Sequence, residues 1–160
     1  MRGTVEVRLD LDTRDRLLRV NGRLAARDGR LVGRGPASLL HLGPESRDAL
    51  MRVDPAFAGR DLRFDDARAI FTWHAGTWRF PRVFLTTRSV MAGGRGRITA
   101  QGEVSGRGTV RLPSDVVGAV QAHEPALARF VDPNGGATVR FGVGGLLQSP
   151  QLTLGPPPTD

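Results

Sequence analysis

Three histidines, two short acidic pairs and one glycine run are the parts of this 160-residue chain whose types could do chemistry. The histidines are His41, His74 and His123, and they lie in different segments with no metal-ligand spacing between them. His74 stands in a turn beside Trp73, where a lone histidine reads as a surface residue. Asp10 and Asp12 fall on the same side of a strand, which would suit a carboxylate pair. That side is the one opposite the leucines, so they read as charge partners for cross-strand arginines, and Asp65-Asp66 is read the same way. Gly93-Gly94-Arg95-Gly96 has neither the Lys-Ser/Thr nor the following helix that a phosphate-cradling loop requires. No cysteine is present, so neither a disulfide framework nor a thiolate metal site exists. Convergent polar groups are what catalysis needs, and none are legible. The expectation is a non-enzyme with no metal and no organic cofactor.

The elements that would carry any site are strands. From Ile98 the apolar or small residues occupy even positions through Ala100, Gly102, Val104, Gly106, Gly108, Val110 and Leu112. Odd positions carry Thr99, Gln101, Glu103, Ser105, Arg107, Thr109 and Arg111, which is the period-two signature of a strand with one apolar face. Val5, Val7, Leu9 and Leu11 repeat the pattern, and it resumes at Leu18, Val20, Gly22, Leu24 and Ala26. These two segments predict an antiparallel hairpin around Thr13-Arg14-Asp15. Asp28-Gly29 reads as the next turn, with Arg30-Leu31-Val32 continuing as a short strand. Pro36 to Pro55 breaks the period and predicts one or two short helices, with Pro44 in a first turn.

Leu62 to Trp73 predicts strand again, ending in a turn at His74-Ala75-Gly76. Trp78 and Phe80, then Val83 and Leu85, are out of phase across Pro81, which predicts a bulge or an edge there. Arg88 to Arg97, with its three glycines, reads as a loop. Ser114-Asp115 is positioned to cap a helix through Val116 and Val120, split by Pro125 before Leu127 and Phe130. Asp132-Pro133-Asn134-Gly135-Gly136 is a strong turn signal. Val139, Phe141 and Val143 form a further strand, and Gln151 to Leu154 a last one before a flexible tail at Pro156–Asp160. The reading is a single mainly β domain over residues 1–155, an antiparallel curled sheet with two short helical insertions.

Composition narrows the partners. Length and a hydrophobic fraction of 39% fit one soluble fold with a real core. The net charge of +7 comes from 23 arginines with no lysine, which has the look of a GC-rich genome. The arginines are scattered singly in sequence, and with few aromatics and no tyrosine the apparatus for single-strand nucleic acid is missing. Nucleic acid is therefore not the expected partner. A solvated arginine face, or weak attraction to anionic lipid headgroups, is favoured. The N-terminus enters a strand at once without a signal-peptide pattern, which leaves a cytoplasmic protein or a piece of something longer. The apolar alternation itself has two readings that periodicity cannot separate: an ordinary core covered by the helical segments, or a groove open to lipid chains.

A resemblance bears on that choice. Leu24-Ala25-Ala26-Arg27-Asp28-Gly29-Arg30-Leu31 followed by a Leu39-Leu40 segment, the block Leu62 to Phe71 with Gly76-Thr77-Trp78 and Val83-Phe84-Leu85, and Ile98 to Val104 occur in a familiar order. Together with the ending Val139-Arg140-Phe141-Gly142-Val143-Gly144-Gly145-Leu146-Leu147-Gln148-Ser149-Pro150, the chain resembles the AsmA-like C-terminal region of bacterial envelope proteins over about residues 16 to 154. The N component of type II secretion machines looks similar here. The helical reading of Ser114 to Val131 departs from the family pattern, as does the missing N-terminal anchor.

The resemblance implies a non-enzymatic envelope module, periplasmic, that serves phospholipid transport or outer-membrane homeostasis. Its implied partners are phospholipid acyl chains and the remainder of a larger envelope protein or neighbouring envelope components. Val5, Val7, Leu9, Leu11, Leu18, Val20, Phe71, Trp73, Ile98, Val104, Val110, Val139, Phe141 and Val143 would line the groove. The rival expectations are a structural or adaptor module with a helix-covered core, and a basic nucleic-acid binder.

Overall fold

The computed structural model describes residues 3–13, 18–31, 44–54 and 61–155. Eight strands form one antiparallel sheet in which every strand pairs with its sequence neighbours: β1 (Thr4–Asp12), β2 (Arg19–Leu31), β3 (Leu62–His74), β4 (Thr77–Thr86), β5 (Met91–Ile98), β6 (Val104–Leu112), β7 (Ala137–Leu146) and β8 (Ser149–Leu154). Helix α1 (Pro44–Val53) lies between β2 and β3. Helix α2 (Ser114–Gln121) and a 3₁₀ turn (Pro125–Phe130) lie between β6 and β7. The sheet does not close into a barrel, so β1 and β8 are its edges. The mainly β antiparallel class expected from the alternation is the class observed. Leu39-Leu40, Val32, Arg14-Asp15, His41 and the tail 156–160 lie outside the described residues.

Local chemistry accounts for several junctions. Ala75 and Gly76 both take positive φ (46° and 76°) between the paired residues His74 and Thr77. A two-residue hairpin of this kind matches the right-handed twist of the strands it joins. The expected bulge is present at Pro81. Thr72 pairs with Arg79 and Ile70 with Arg82, so Phe80 and Pro81 together stand opposite Phe71. Proline has no N–H to give the ladder, which makes it suited to the unpaired position. The Asp132 carboxylate accepts the N–H groups of Asn134 (2.9 Å) and Gly136 (3.1 Å) in the expected turn before β7.

Four expectations are corrected. The alternating run Ile98 to Leu112 is not one strand: the chain turns over residues 99–103, where the Gly102 N–H donates to the Thr99 carbonyl (2.9 Å), and Ile98 ends up opposite Val104. Asp28-Gly29 does not turn the chain: β2 runs on to Leu31, with Arg27 opposite Asp66 and Gly29 opposite Phe64. The positive φ that the dipeptide signals is there, at Asp28 (51°), but inside the strand. Gly29 is needed because the buried ring of Phe64 lies over it, in the space a Cβ would take. The glycine run is not a loop either. Gly93, Gly94 and Gly96 belong to β5, and the connection is shortened to Thr87–Val90. Finally, Pro113 rather than Ser114 holds the N-cap position of α2, with extended φ/ψ of −71°/165°, while Asp115 Oδ1 accepts the N–H of Val116 (2.9 Å).

The closed core is small and off-centre. Leu50 of α1, Val116 and Val120 of α2, and Val90 form one buried cluster, against which Val53, Val110, Leu112 and Leu127 pack. Val117, Phe130, Ala137 and Val139 form a second, sharing Leu112 and Leu127. Burying a side chain such as Val116, 1% exposed, contributes about 1.5–3 kcal/mol. Polar ties hold α1 in place: Thr87 Oγ1 donates to Asp54 Oδ2 (3.3 Å) and accepts from the Val90 N–H (3.0 Å). Ser46 donates to Glu124 Oε1 at 2.9 Å, linking α1 to the residue before the 3₁₀ turn.

Candidate functional site

Paired residues of antiparallel strands share a face, so the register can be followed across the sheet one row at a time. On the apolar face one row reads Leu11, Val20, Trp73, Trp78, Ile98, Val104. The next runs Leu9, Gly22, Phe71, then Phe80, Gly96, Gly106, Val143 and Leu152, with the Phe71 and Phe80 rings 6.4 Å apart across the bulge. The third is Val7, Leu24, Ala69, Val83, Gly94, Gly108, Phe141, Leu154. The fourth is Val5, Ala26, Ala67, Leu85, Ala92, Val110, Val139. No charged residue interrupts any of them.

Thirteen of the residues expected to line a groove therefore share one face: Val5, Val7, Leu9, Leu11, Val20, Phe71, Trp73, Ile98, Val104, Val110, Val139, Phe141 and Val143. Leu18 is not brought into a row; it precedes β2 and is exposed. The sequence reading missed Trp78, Phe80, Val83 and Leu85 as lining residues, although Pro81 was the signal that restores their phase. Trp78 is central to an aromatic cluster, 5.6 Å from Phe71, 6.5 Å from Trp73 and 6.5 Å from Phe80, onto which it stacks. Leu152 and Leu154 of the short β8 were also missed.

The described helices cover this face at one end only. Their clusters take in Val110, Leu112, Ala137 and Val139, all at the Leu112–Ala137 end of β6 and β7. Toward the far edge the same face is open among the described residues: Val5 is 66% exposed, Leu9 57% and Leu11 63%, and Trp78 is 39% exposed in mid-sheet. The glycines in the middle rows matter to its shape. Gly94 faces Gly108 and Gly96 faces Gly106 across β5 and β6. A Cβ on Gly94, Gly96 or Gly106 would come within 2.8–3.0 Å of a carbonyl oxygen of the neighbouring strand. The two strands approach on the apolar side more closely than side chains permit.

The groups first considered for chemistry do not converge. His74 is exposed as the last residue of β3, and His123 Nδ1 lies 3.1 Å from Glu45 Oε2. Asp66 pairs with Arg68 (2.8 Å) and Arg27 (3.9 Å), and Asp12 stands opposite Arg19. Among the described residues no group of three His, Cys, Asp or Glu could hold a metal ion, and no helix is long and apolar enough to cross a membrane. A shallow cavity of about 300 Å³ opens beside the β5–β6 turn, lined by Arg97, Glu103, Val104 and Leu146 among others.

Compared with known proteins, the chain matches no family model, no curated protein and no solved structure.

Proposed function

We propose that the open apolar face holds lipid acyl chains, and that the chain is a non-enzymatic module of the cell envelope contributing to phospholipid transport between membranes. One observation carries the reading: four uninterrupted apolar rows cross an open sheet whose described helices cover only one end. A face of this kind, with exposed leucines and a tryptophan, invites an apolar occupant. Acyl chains suit it because each buried methylene contributes about 0.8 kcal/mol and the rows carry no fixed polar contact to select a headgroup. Chains bound this way are free to slide along a row. The AsmA-like resemblance of the sequence supports the same reading and a periplasmic location.

The test is native mass spectrometry of the chain after expression in a Gram-negative periplasm, with co-purified lipid extracted and identified. Phospholipid at defined stoichiometry, lost in Leu9→Glu with Leu11→Glu while the fold is kept, is the expected result. A folded, lipid-free chain would sink the proposal.

A second reading is favoured by β1, which among the described residues is an edge without a partner on its outer side and whose Val5, Val7, Leu9 and Leu11 are all more than half exposed. Such an edge is suited to adding a strand from a neighbouring protein. In that case the module is structural, and the lipid-free chain would instead self-associate or capture an envelope component through β1.

A further inference from the structure

The opposite face of the sheet gathers the arginines that the sequence scatters. Arg8 pairs with Arg23, Arg23 with Ile70, and Ile70 with Arg82. Beyond the bulge the line continues with Arg95 opposite Arg107. These five arginines, all exposed, lie on one line perpendicular to the strands. At about 4.8 Å per strand the line from β1 to β6 is about 24 Å long. Arg79 and Arg97 form a further directly opposed pair beside it. Like charges placed directly opposite destabilise a sheet, and little on this face offsets them. Strands β4 to β8 contain no acidic residue. Among the described residues Arg8 of the row lies 4.0 Å from Glu6, both well exposed. Asp10, Asp12 and Asp66 stand on this face in other rows, Asp12 opposite Arg19 and Asp66 against Arg27 and Arg68.

We propose that this outer face docks on an anionic bilayer, with the arginine row seated against lipid phosphates. The guanidinium fork matches phosphate oxygens, and a bound phosphate layer removes the repulsion between opposed arginines. Two features favour a bilayer over nucleic acid. The charges lie in two adjacent rows, the line of five and the Arg79–Arg97 pair beside it, on an open sheet face rather than in a groove. Two apolar side chains also stand among them on the same face: Phe84, 36% exposed, between Arg68 and Gly93, and Met91, 44% exposed, beside Arg111. Apolar tips between cations suit the headgroup boundary of a membrane. A lone phenylalanine is no stacking platform for bases. The proposal is independent of what occupies the apolar face.

The test is co-sedimentation of the full chain with vesicles of phosphatidylcholine alone and of phosphatidylcholine with 30 mol% phosphatidylglycerol, a composition of about that order being enough to give a negative surface potential. Binding is expected only to the second and is expected to weaken as salt is raised. Arg95→Gln with Arg107→Gln should lower the partition constant about 25-fold, from roughly five-fold per arginine. Its melting temperature should be unchanged or higher, because an opposed pair has been relieved. A control of equal charge loss, Arg52→Gln with Arg129→Gln near the helices, should leave binding unchanged. Phe84→Ser should weaken vesicle binding and not duplex DNA binding. Equal loss in the control, or tighter binding to duplex DNA than to the anionic vesicles at the same salt, would overturn the proposal.

Discussion

The ring of Phe141 on β7 lies over Gly108 on β6, with its Cζ 2.6 Å from the position a Cβ on Gly108 would take. The same position also meets the carbonyl oxygen of Gly93 on the other side. An aromatic ring over a facing glycine covers backbone that would otherwise be bare, and it pins the register of the two strands.

Gly108→Ala should therefore be costly, because the added methyl meets the Gly93 carbonyl, which cannot move away, as well as the Phe141 ring. Destabilisation of about 1–3 kcal/mol is expected, the range for overpacking. Gly118→Ala is the contrast: it is exposed in α2 with nothing within 4 Å of the new methyl. That change should stabilise by about 0.5–1 kcal/mol through helix propensity. Chemical denaturation of the two variants reads both signs, and a neutral Gly108→Ala would refute the close approach of β5 and β6.

Thr87 is buried and its hydroxyl bridges Asp54 of the α1 end to the Val90 N–H. Thr87→Val keeps the shape and removes the bridge. A loss of about 1–3 kcal/mol is expected from polar groups deprived of a partner. Amide exchange of Val90 should accelerate together with that of α1.

Asp132 shapes the turn into β7 through its carboxylate. Asp132→Ala should cost about 1 kcal/mol, and Asp132→Asn should recover most of it, since an amide oxygen still accepts both N–H groups. Equal losses for the two variants would assign the effect to charge instead.

The two ends of the apolar face should respond differently to truncation. Phe130→Ala, in the covered cluster, should cost about 3–5 kcal/mol, whereas Val7→Ala on the open edge strand should stay within about 0.5 kcal/mol. If Val7→Ala proved as damaging as Phe130→Ala, the face would be closed by packing that the described residues do not show.

The strands were legible because alternation is a local property. Val5 to Leu11, Val104 to Leu112 and Val139 to Val143 announce their faces in consecutive residues, whatever they pair with, but the same alternation carried back to Ile98 hid the turn over residues 99–103. Even the bulge was readable, since Pro81 falls where the apolar phase slips. Where the reading failed, a local signal was right and its consequence was not. Asp28 does take positive φ, yet the chain runs on because Phe64 on the next strand needs Gly29 beneath its ring. The glycines of β5 look like a loop until they are set against Gly106 and Gly108, where they let two strands close on each other.

The amino-acid sequence by itself determined an antiparallel sheet with one apolar face and most of the side chains that face carries; Trp78 to Leu85, beyond the phase slip at Pro81, took their place only through the register. Only the tertiary structure decided how much of the face the helices cover, because that depends on where α1 and α2 land, at the Val110–Leu112 end. Register made a line of charge from Arg8, Arg23, Arg82, Arg95 and Arg107. No stretch of the chain could reveal it: residues as much as 99 positions apart in sequence meet along a row, and pairing between strands, unlike alternation within one, is set by non-local contacts.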